Sequence, residues 1–443
     1  MTNPLELPRD AQAPFCRASY GQIYALAARL RDELGAVGRA CVATQDRDVL
    51  AACALASLAG GPELVLPYAL SGPVLAAARR ELGFEVLIVG EREAIQLAGI
   101  ELVCARAEAS ADRPPARQRG EAEILLHLFT GGSTGGPRAW PKTAANLMGE
   151  AAFQTARFSF AAGDAVLSSA GPLHIYGLLF SVLVPLLAGA RVLARPAFLP
   201  AEIESALSSG PRPSVYLGTP AHYRSLRLRC AAETGLRLAL SSGGMLDEKD
   251  ALGFAERYGC PVVEAYGSTE TGGIATRCRA EGQASWTALR PVRIGFSGGC
   301  LAVDSPFLSP GLERDASGLF ATADRAAPAG EGRFDLLGRA DRVVKVGGER
   351  VDLDAVEAVL RAIDGVEDAC VLALDQAGRD KRVVAAAVGS LDEKQLRAAL
   401  ARKLEPAWMP RQLRLLDRIP TTAAGKHDRE AVEAMLSGPR DGP

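Results

Sequence analysis

A glycine-rich segment, residues 130–138 (TGGSTGGPR), follows an apolar run at 123–129. Its four glycines and three hydroxyl side chains would let backbone N–H groups and hydroxyls approach an anion closely. A strand that leads into such a turn is where α/β proteins hold phosphates. The segment is not a P-loop, because Pro137 stands where that motif has lysine, and the dinucleotide pattern G-x-G-x-x-G is absent. The residues therefore predict a phosphate-binding loop, with a plain flexible loop as the alternative.

Three further segments place charged or hydroxyl residues beside glycines. In residues 266–273 (YGSTETGG), a hydroxyl and a carboxylate at the end of a predicted strand suit Mg²⁺ held against phosphates, or else form a surface turn. Residues 338–350 lie at a change of composition and suit a hinge between domains, or a solvated hairpin. Residues 420–429 present Lys426 between a glycine and a predicted helix, where a lone lysine is usually a surface residue.

Together, and in this order, the segments resemble motifs of the adenylate-forming superfamily: acyl- and aryl-CoA synthetases, luciferases and the adenylation domains of peptide synthetases. The similarity covers about residues 120 to 430. The matched motifs are its phosphate loop (130–138), acid-pocket motif (172–177), Y-G-x-T-E (266–270), T-G-D (322–324), hinge (338–348) and lysine loop (420–429). The resemblance implies an α/β fold in two parts. A large multi-layer N-terminal domain would span residues 1–339, and a small mobile C-terminal α+β domain would span residues 340–443.

The resemblance also implies a reaction in two halves. The carboxylate of an organic acid would attack the α-phosphorus of ATP and release pyrophosphate. A thiol would then attack the acyl-adenylate and release AMP. The co-substrates and partners so implied are ATP, Mg²⁺, a small carboxylic acid, and either CoA or the phosphopantetheine of an acyl carrier protein.

Site residues are carried over from the matched motifs. Lys426 would bridge the carboxylate and the α-phosphate, Thr269 would contact that phosphate, and Glu270 would bind Mg²⁺. Contacts to the outer phosphates would come from Thr130, Gly132, Ser133, Thr134, Gly135 and Arg138. Contacts to AMP would come from Gly243, Gly244, Tyr266, Asp324 and Arg339.

The acid pocket would contain His174, Tyr176, Gly218, Thr219 and Ser242. Its mix of aromatic, small and polar side chains favours an aryl or short acid over a long fatty chain. A satisfied core histidine is the alternative for His174. Rotation of the small domain about Asp341 would remove Lys426 and bring Lys345 and Gly348 to the thiol tunnel.

Three positions depart from the family pattern: Gly131 replaces serine, Arg138 replaces lysine and Ala323 replaces glycine. They leave open a catalytically weak nucleotide-binding homologue. A third class, a kinase-like phosphotransferase, would release ADP instead of AMP.

Two features of the sequence indicate which thiol accepts the acyl group. Residues 140–143 (WPKT) are similar to the ligases of bacterial aryl-polyene and xanthomonadin pigment clusters, which load an acyl carrier protein. Several basic residues would also form a docking face for an acidic carrier protein, or an ordinary solvated surface. They are Arg397, Arg402, Lys403, Arg411, Arg414 and Arg418.

Composition argues against several other classes of protein. A chain of 443 residues, 48% hydrophobic and 23% charged, is globular and long enough for two or three domains. Its net charge of −2 gives no electrostatic footprint for nucleic acid or an anionic membrane. With no apolar stretch of membrane-spanning length and no apolar signal core, a cytoplasmic protein is expected. Nine separated cysteines without a C-x-x-C pair, and four histidines, favour reduced buried thiols over a metal–thiolate site.

Alternating helix and strand patterns must position these motifs. Helices are predicted at 22–35, 50–59 and 73–82, with strands at 85–89, 101–104, 123–129, 165–168, 190–194, 214–217, 237–240 and 262–265. The small domain is predicted as a helix at 353–363, strands at 366–374 and 382–388, a helix at 391–404, a strand near 412–416 and a helix at 427–436.

Overall fold

Helices and strands alternate from Tyr20 to the strand that begins at Val262 in the computed structural model of the chain, and strands predominate from there to Asp352. It describes residues 10–91, 95, 97–130, 138–194, 199–208, 212–226, 234–346, 349–376, 379–422 and 425–437. Two compact units result, one of Met1–Arg293 with Asp304–Glu313 and one of Ile294–Val303 with Arg314–Pro443. This division reflects only how compact each unit is. The predicted domain boundary between residues 339 and 340 instead concerns a hinge motion, so it stays a prediction.

The first unit alternates helices with short strands. Its elements are α1 Tyr20–Glu33, β1 Arg39–Val42, α2 Arg47–Leu58, β2 Glu63–Leu66, α3 Gly72–Leu82, β3 Val86–Val89, β4 Glu101–Cys104, β5 Ile124–Thr130, β6 Arg138–Thr143, α4 Ala144–Arg157, β7 Ala165–Ser168, α5 Ile175–Leu178, α6 Val184–Ala188, β8 Arg191–Val192, α7 Pro200–Ser208, β9 Val215–Gly218, α8 Pro220–Leu226, β10 Leu238–Ser241, α9 Glu248–Tyr258, β11 Val262–Ser268, β12 Gly272–Cys278 and β13 Trp286–Ala288.

Two mainly parallel sheets organise this unit. One has the order β4-β3-β1-β2-β5-β6, and in the other the strands of this unit follow the order β8-β7-β9-β10-β11-β12-β13. Strands β3, β7, β9 and β10 are buried along their whole length, as expected of parallel strands covered on both faces. The antiparallel strands β6 and β12 each return directly from a parallel neighbour. They therefore carry the chain back from the carboxyl edge of a sheet.

The second unit is mostly antiparallel. Its elements are β14 Arg293–Ser297, β15 Cys300–Asp304, β16 Phe320–Pro328, β17 Arg333–Arg339, β18 Val343–Val346, β19 Glu349–Asp352, α10 Leu353–Arg361, β20 Val366–Gln376, β21 Arg379–Gly389, α11 Glu393–Ala401, β22 Gln412–Leu415 and α12 Arg429–Ser437. Strands β20 and β21 form a long hairpin, and β22 adds to β21 in parallel. The apolar faces of α10 and α11 pack on this three-stranded sheet through Val356, Leu360 and Leu396.

Most predicted elements are confirmed, with their ends within one to three residues of the predicted ones. The structure contains both helices and sheets, so the predicted α/β class is confirmed. Strands β1 and β2 were not predicted, because each has only three apolar residues beside a long helix and so gives little periodic signal. Among the described residues, no helix is long and apolar enough to cross a membrane.

Candidate active site

Predicted acid and adenine contacts converge at one edge of the second sheet. Strands β9, β10 and β11 are parallel, and their register sets Gly218 beside Ser241 and Ser241 beside Glu264. The segments that follow these strand ends hold Thr219, Ser242 to Gly244, and Thr269 with Glu270. The carboxyl edge of parallel strands is where open α/β sheets bind ligands. The structure therefore places Gly218, Thr219 and Ser242 at neighbouring strand ends, while β11 continues four residues beyond its pairing with β10 before Thr269 and Glu270 follow.

The turn that carries Glu270 is tightly held. The Ser268 N–H donates to the Thr271 hydroxyl at 3.0 Å, and the two hydroxyl oxygens lie 2.9 Å apart. The Glu270 carbonyl accepts the Ser309 N–H at 2.8 Å. Gly272 has φ +67°, and a Cβ there would lie 2.6 Å from a carboxylate oxygen of Glu150. These contacts restrict the backbone conformation of the turn. The Glu270 side chain is half-buried there.

At the base of the predicted phosphate loop, Thr130 and Arg138 pair across β5 and β6. The Trp140 indole N–H donates to the Thr130 hydroxyl at 3.1 Å, and the Arg138 guanidinium lies 4.0 Å above the Trp140 ring. One tryptophan therefore orients two predicted phosphate contacts. The other predicted contacts, Gly132, Ser133, Thr134 and Gly135, lie outside the described residues.

Tyrosines surround the predicted acid pocket. The hydroxyls of Tyr176 and Tyr223 both donate to the Leu240 carbonyl, at 2.8 and 2.7 Å. A Cβ on Gly218 would lie 2.9 Å from the Tyr223 ring and 3.1 Å from the Tyr216 ring, so glycine is required there. His174 is the residue before α5, two positions from Tyr176, and is half-buried.

Sequence reasoning missed a histidine behind Thr219. His222 Nδ1 accepts the Thr219 N–H at 3.1 Å and lies 2.9 Å from its hydroxyl oxygen. Burial lowers the pKa of His222 to about 4, so the ring is neutral at neutral pH. A histidine four residues after the end of β9 is the signal that could have suggested it.

In the second unit, one guanidinium joins the predicted ribose contact to the predicted hinge. Arg339 contacts the Asp324 carboxylate at 3.3 Å and donates to both carboxylate oxygens of Asp341, at 2.9 and 2.6 Å. The Arg339 guanidinium lowers the pKa of Asp341 below its usual range. Lys345 is exposed on β18, and Gly348 lies outside the described residues.

The loop of Lys426 is closed by backbone hydrogen bonds. The Thr422 N–H donates to the Lys426 carbonyl at 2.7 Å, and the Asp428 N–H donates to the Pro420 carbonyl at 2.8 Å. His427 Nε2 lies 2.9 Å from a carboxylate oxygen of Asp368 at the start of β20. The side chain after the predicted catalytic lysine therefore anchors its loop to the small sheet.

Glu357, Cys370 and His427 offer three potential metal ligands within 4.8 Å of one another. Glu357 already accepts Arg361 at 2.8 Å and Arg342 at 3.1 Å, while His427 contacts Asp368. Burial raises the pKa of Cys370 to about 12, which keeps its thiol protonated. We therefore interpret this group as an ion-pair network.

Two further residues, which the matched motifs do not assign, lie under the Glu270 turn. Lys142 is the penultimate residue of β6 and its ammonium is buried, and Glu150 is buried on α4. Asn146, Glu150 and Gln154 recur every fourth residue along α4 and are all buried. Such a polar stripe in a helix that is otherwise apolar on that face was the available signal.

The fold and these motifs define an enzyme that binds AMP, and a family model described as "AMP-binding enzyme" matches residues 20–301. A second model, "AMP-binding enzyme C-terminal domain", matches residues 355–426. The first match spans more than half of the chain, so the chain belongs to this family.

Two enzymes, named as a CoA synthase and a CoA ligase, are similar to most of this chain. A feruloyl-CoA synthase from Amycolatopsis sp is 28% identical over 407 residues, covering 83% of this chain and 82% of the relative. A 4-coumarate–CoA ligase from Rhodobacter capsulatus is 33% identical over 307 residues, covering 67% and 73%. The solved structure of ATP-bound MatB from Rhodopseudomonas palustris superposes with a TM-score of 0.83 over 98% of this chain and 97% of that one. At 21% identity, this last likeness shows the fold alone.

Proposed function

We propose that the chain is an ATP-dependent acid–thiol ligase that adenylates a small aromatic acid and transfers its acyl group to a thiol. The observation that carries this proposal is the shared carboxyl edge of the parallel strands β9, β10 and β11, after which Thr219, Ser242 and Glu270 follow in the chain. The family membership gives that edge an adenylate-forming chemistry. The retained Lys426 and Asp324 support a catalytically competent enzyme over the weak nucleotide-binding alternative.

Adenylation brings two anions together, so it requires positive charge and preorganised donors. Lys426 would supply a positive charge that moves with the small domain. Arg138, which stacks on the Trp140 ring, would supply a fixed positive charge near the outer phosphates. The Glu270 carboxylate and Thr269 hydroxyl are hard oxygen donors of the kind Mg²⁺ prefers. When bound there, Mg²⁺ would offset the charge of the phosphates. Asp324, oriented by Arg339, would accept hydrogen bonds from the ribose hydroxyls.

The proposed acid class rests on the tyrosines. Tyr176, Tyr216 and Tyr223 are large, buried or half-buried, and tied by their hydroxyls to neighbouring oxygens. Rigid rings close to Gly218 limit depth and suit a flat acid over a long flexible chain. The relatives named for ferulate and 4-coumarate support the same class.

The acceptor is proposed to be the thiol of phosphopantetheine. The relatives named as a feruloyl-CoA synthase and a 4-coumarate–CoA ligase support free CoA as the acceptor. A carrier protein remains the prediction drawn from residues 140–143 and from the basic residues of the small domain.

ATP–pyrophosphate exchange with a panel of acids tests the activity. The panel contains hydroxycinnamic, hydroxybenzoic, dicarboxylic and long-chain fatty acids. We expect exchange with one of the aromatic classes and AMP as the nucleotide product once a thiol is added. Exchange with none of the acids, or release of ADP, would contradict the proposal.

A further inference from the structure

Lys142 is a cation buried inside the first unit. Its side chain is 1% exposed, and its ammonium donates to the Phe307 carbonyl at 3.0 Å and to the Glu270 carbonyl at 3.4 Å. The acceptors lie 165 and 128 residues along the chain from Lys142. Its ammonium is thus directed at backbone oxygens under the Glu270 turn.

Glu150 is the acidic residue on the other side of the turn, and burial raises the pKa of its carboxyl group. It is 2% exposed on α4, and its carboxylate accepts the Gly273 N–H at 2.7 Å. Burial lowers the pKa of Lys142 to about 8, while the charges of Glu150 and Glu270 oppose that shift. The ammonium is therefore mostly charged at neutral pH.

The two charges hold the same turn from opposite ends. Lys142 contacts the carbonyl of Glu270, and Glu150 contacts the N–H of Gly273, three residues later. Close packing leaves Gly272 no room for a side chain between them. A buried charged pair is in general weak evidence for stability. What Lys142 and Glu150 share in this structure is a direct contact with the backbone of the turn.

Strand β6 also connects this pair to the base of the phosphate loop. Side chains alternate along a strand, so Arg138, Trp140 and Lys142 belong to one face of β6. The first two meet Thr130 at the loop, and the third meets the Glu270 turn. One strand face thus serves both sets of predicted phosphate and metal contacts.

We propose that Lys142 and Glu150 are positioning residues that hold the turn 268–273, and with it the Glu270 carboxylate, in the geometry that receives Mg²⁺-bound ATP. This inference rests on the proposed function, and it concerns residues that the matched motifs do not assign. Neither side chain touches substrate; each acts through the backbone of the turn.

The test compares Lys142→Met, Lys142→Arg, Glu150→Gln and the double variant Lys142→Met/Glu150→Gln, with Lys249→Met as the matched control. Lys249 is an exposed lysine on α9, away from the turn. The first readout needs no acid substrate: the rise in melting temperature on adding ATP, measured with and without Mg²⁺. We expect Lys142→Met to lose at least about half of the Mg²⁺-dependent part of that rise, because the turn loses charge-assisted hydrogen bonds. Lys142→Arg should recover part of it.

The second readout is kinetic. In Lys142→Met we expect about tenfold more Mg²⁺ for half-maximal exchange and about tenfold slower adenylation. Thiol transfer from supplied acyl-adenylate should stay within about twofold, since it uses neither Mg²⁺ nor the outer phosphates.

Folded variants with an unchanged Mg²⁺ dependence would overturn the inference, as would equal losses in both half-reactions. If Lys142→Met does not fold, the double variant carries the same measurements, because it leaves no unpaired buried charge. Failure of both to fold would assign the pair a purely structural role and also overturn the inference. A wild-type protein that shows Mg²⁺-dependent stabilisation by ATP but no exchange with any acid would instead reject the proposed function alone.

Discussion

His222 lies behind Thr219 at the end of β9, where its Nδ1 accepts the Thr219 N–H. Burial lowers its pKa from 6.5 to about 4, so between these values the unfolded chain binds more protons than the folded one. Stability from this group is fully present above about pH 6.5 and is lost as the pH falls toward 4. We expect a loss of about 3 kcal/mol between pH 7 and 4. His222→Asn keeps an acceptor and removes the titration, so its unfolding free energy should fall less over that range. Parallel curves for the two proteins would contradict this assignment.

Lys426 gives the second prediction at this scale. Lys426→Ala should slow adenylation at least about a hundredfold, because a single positioned charge is lost from the transition state. Thioester formation from supplied acyl-adenylate should be spared. Separate assays of the two half-reactions decide the matter, and equal losses in both would reject the two-conformation account.

At the scale of elements, the loop from Pro420 to Asp428 depends on its anchor to β20. The contact between His427 and Asp368 is 2.9 Å long and mostly buried. Asp368→Ala should release the loop, slow adenylation about tenfold, and speed hydrogen exchange at the Thr422 and Asp428 amides. Asp375→Ala is the matched control, since that carboxylate is 87% exposed on the same strand. If the contact between Asp368 and His427 does not support the loop, Asp368→Ala will be as active as this control.

At the scale of the whole molecule, the prediction concerns whether a carrier protein or free CoA accepts the acyl group. Arg397 donates to Glu393 and the Pro410 carbonyl, and Arg414 donates to the Met435 carbonyl, so both serve the small unit itself. Arg402, Lys403, Arg411 and Arg418 are exposed. If a carrier protein is the acceptor, its kcat/KM should exceed that of free CoA and should fall about tenfold with salt or in Arg402→Glu/Arg411→Glu. Use of CoA should be unaffected by the double change. Equal or better use of CoA by the wild-type enzyme would exclude the carrier prediction.

The amino-acid sequence was sufficient for the family, for the alternation of helices and strands, and for the positions of the motifs. Glycine-rich turns, apolar runs and ordered motifs are local patterns, so they can be read without knowing what packs on them. Strand β9 was predicted one residue early, and the segment around Glu270 was placed correctly at a strand end. The weak signals were short strands such as β1 and β2, which lack periodicity.

Tertiary structure alone decided which distant residues support the motifs. Lys142 reaches the Glu270 carbonyl, Trp140 orients Thr130, and Asp368 anchors His427. The motifs matched in the sequence assign a role to neither Lys142 nor Asp368. A buried charge acquires its role from the groups that surround it, because desolvation makes each unpaired neighbour costly. Those neighbours come from other elements, so spacing along the chain does not contain them.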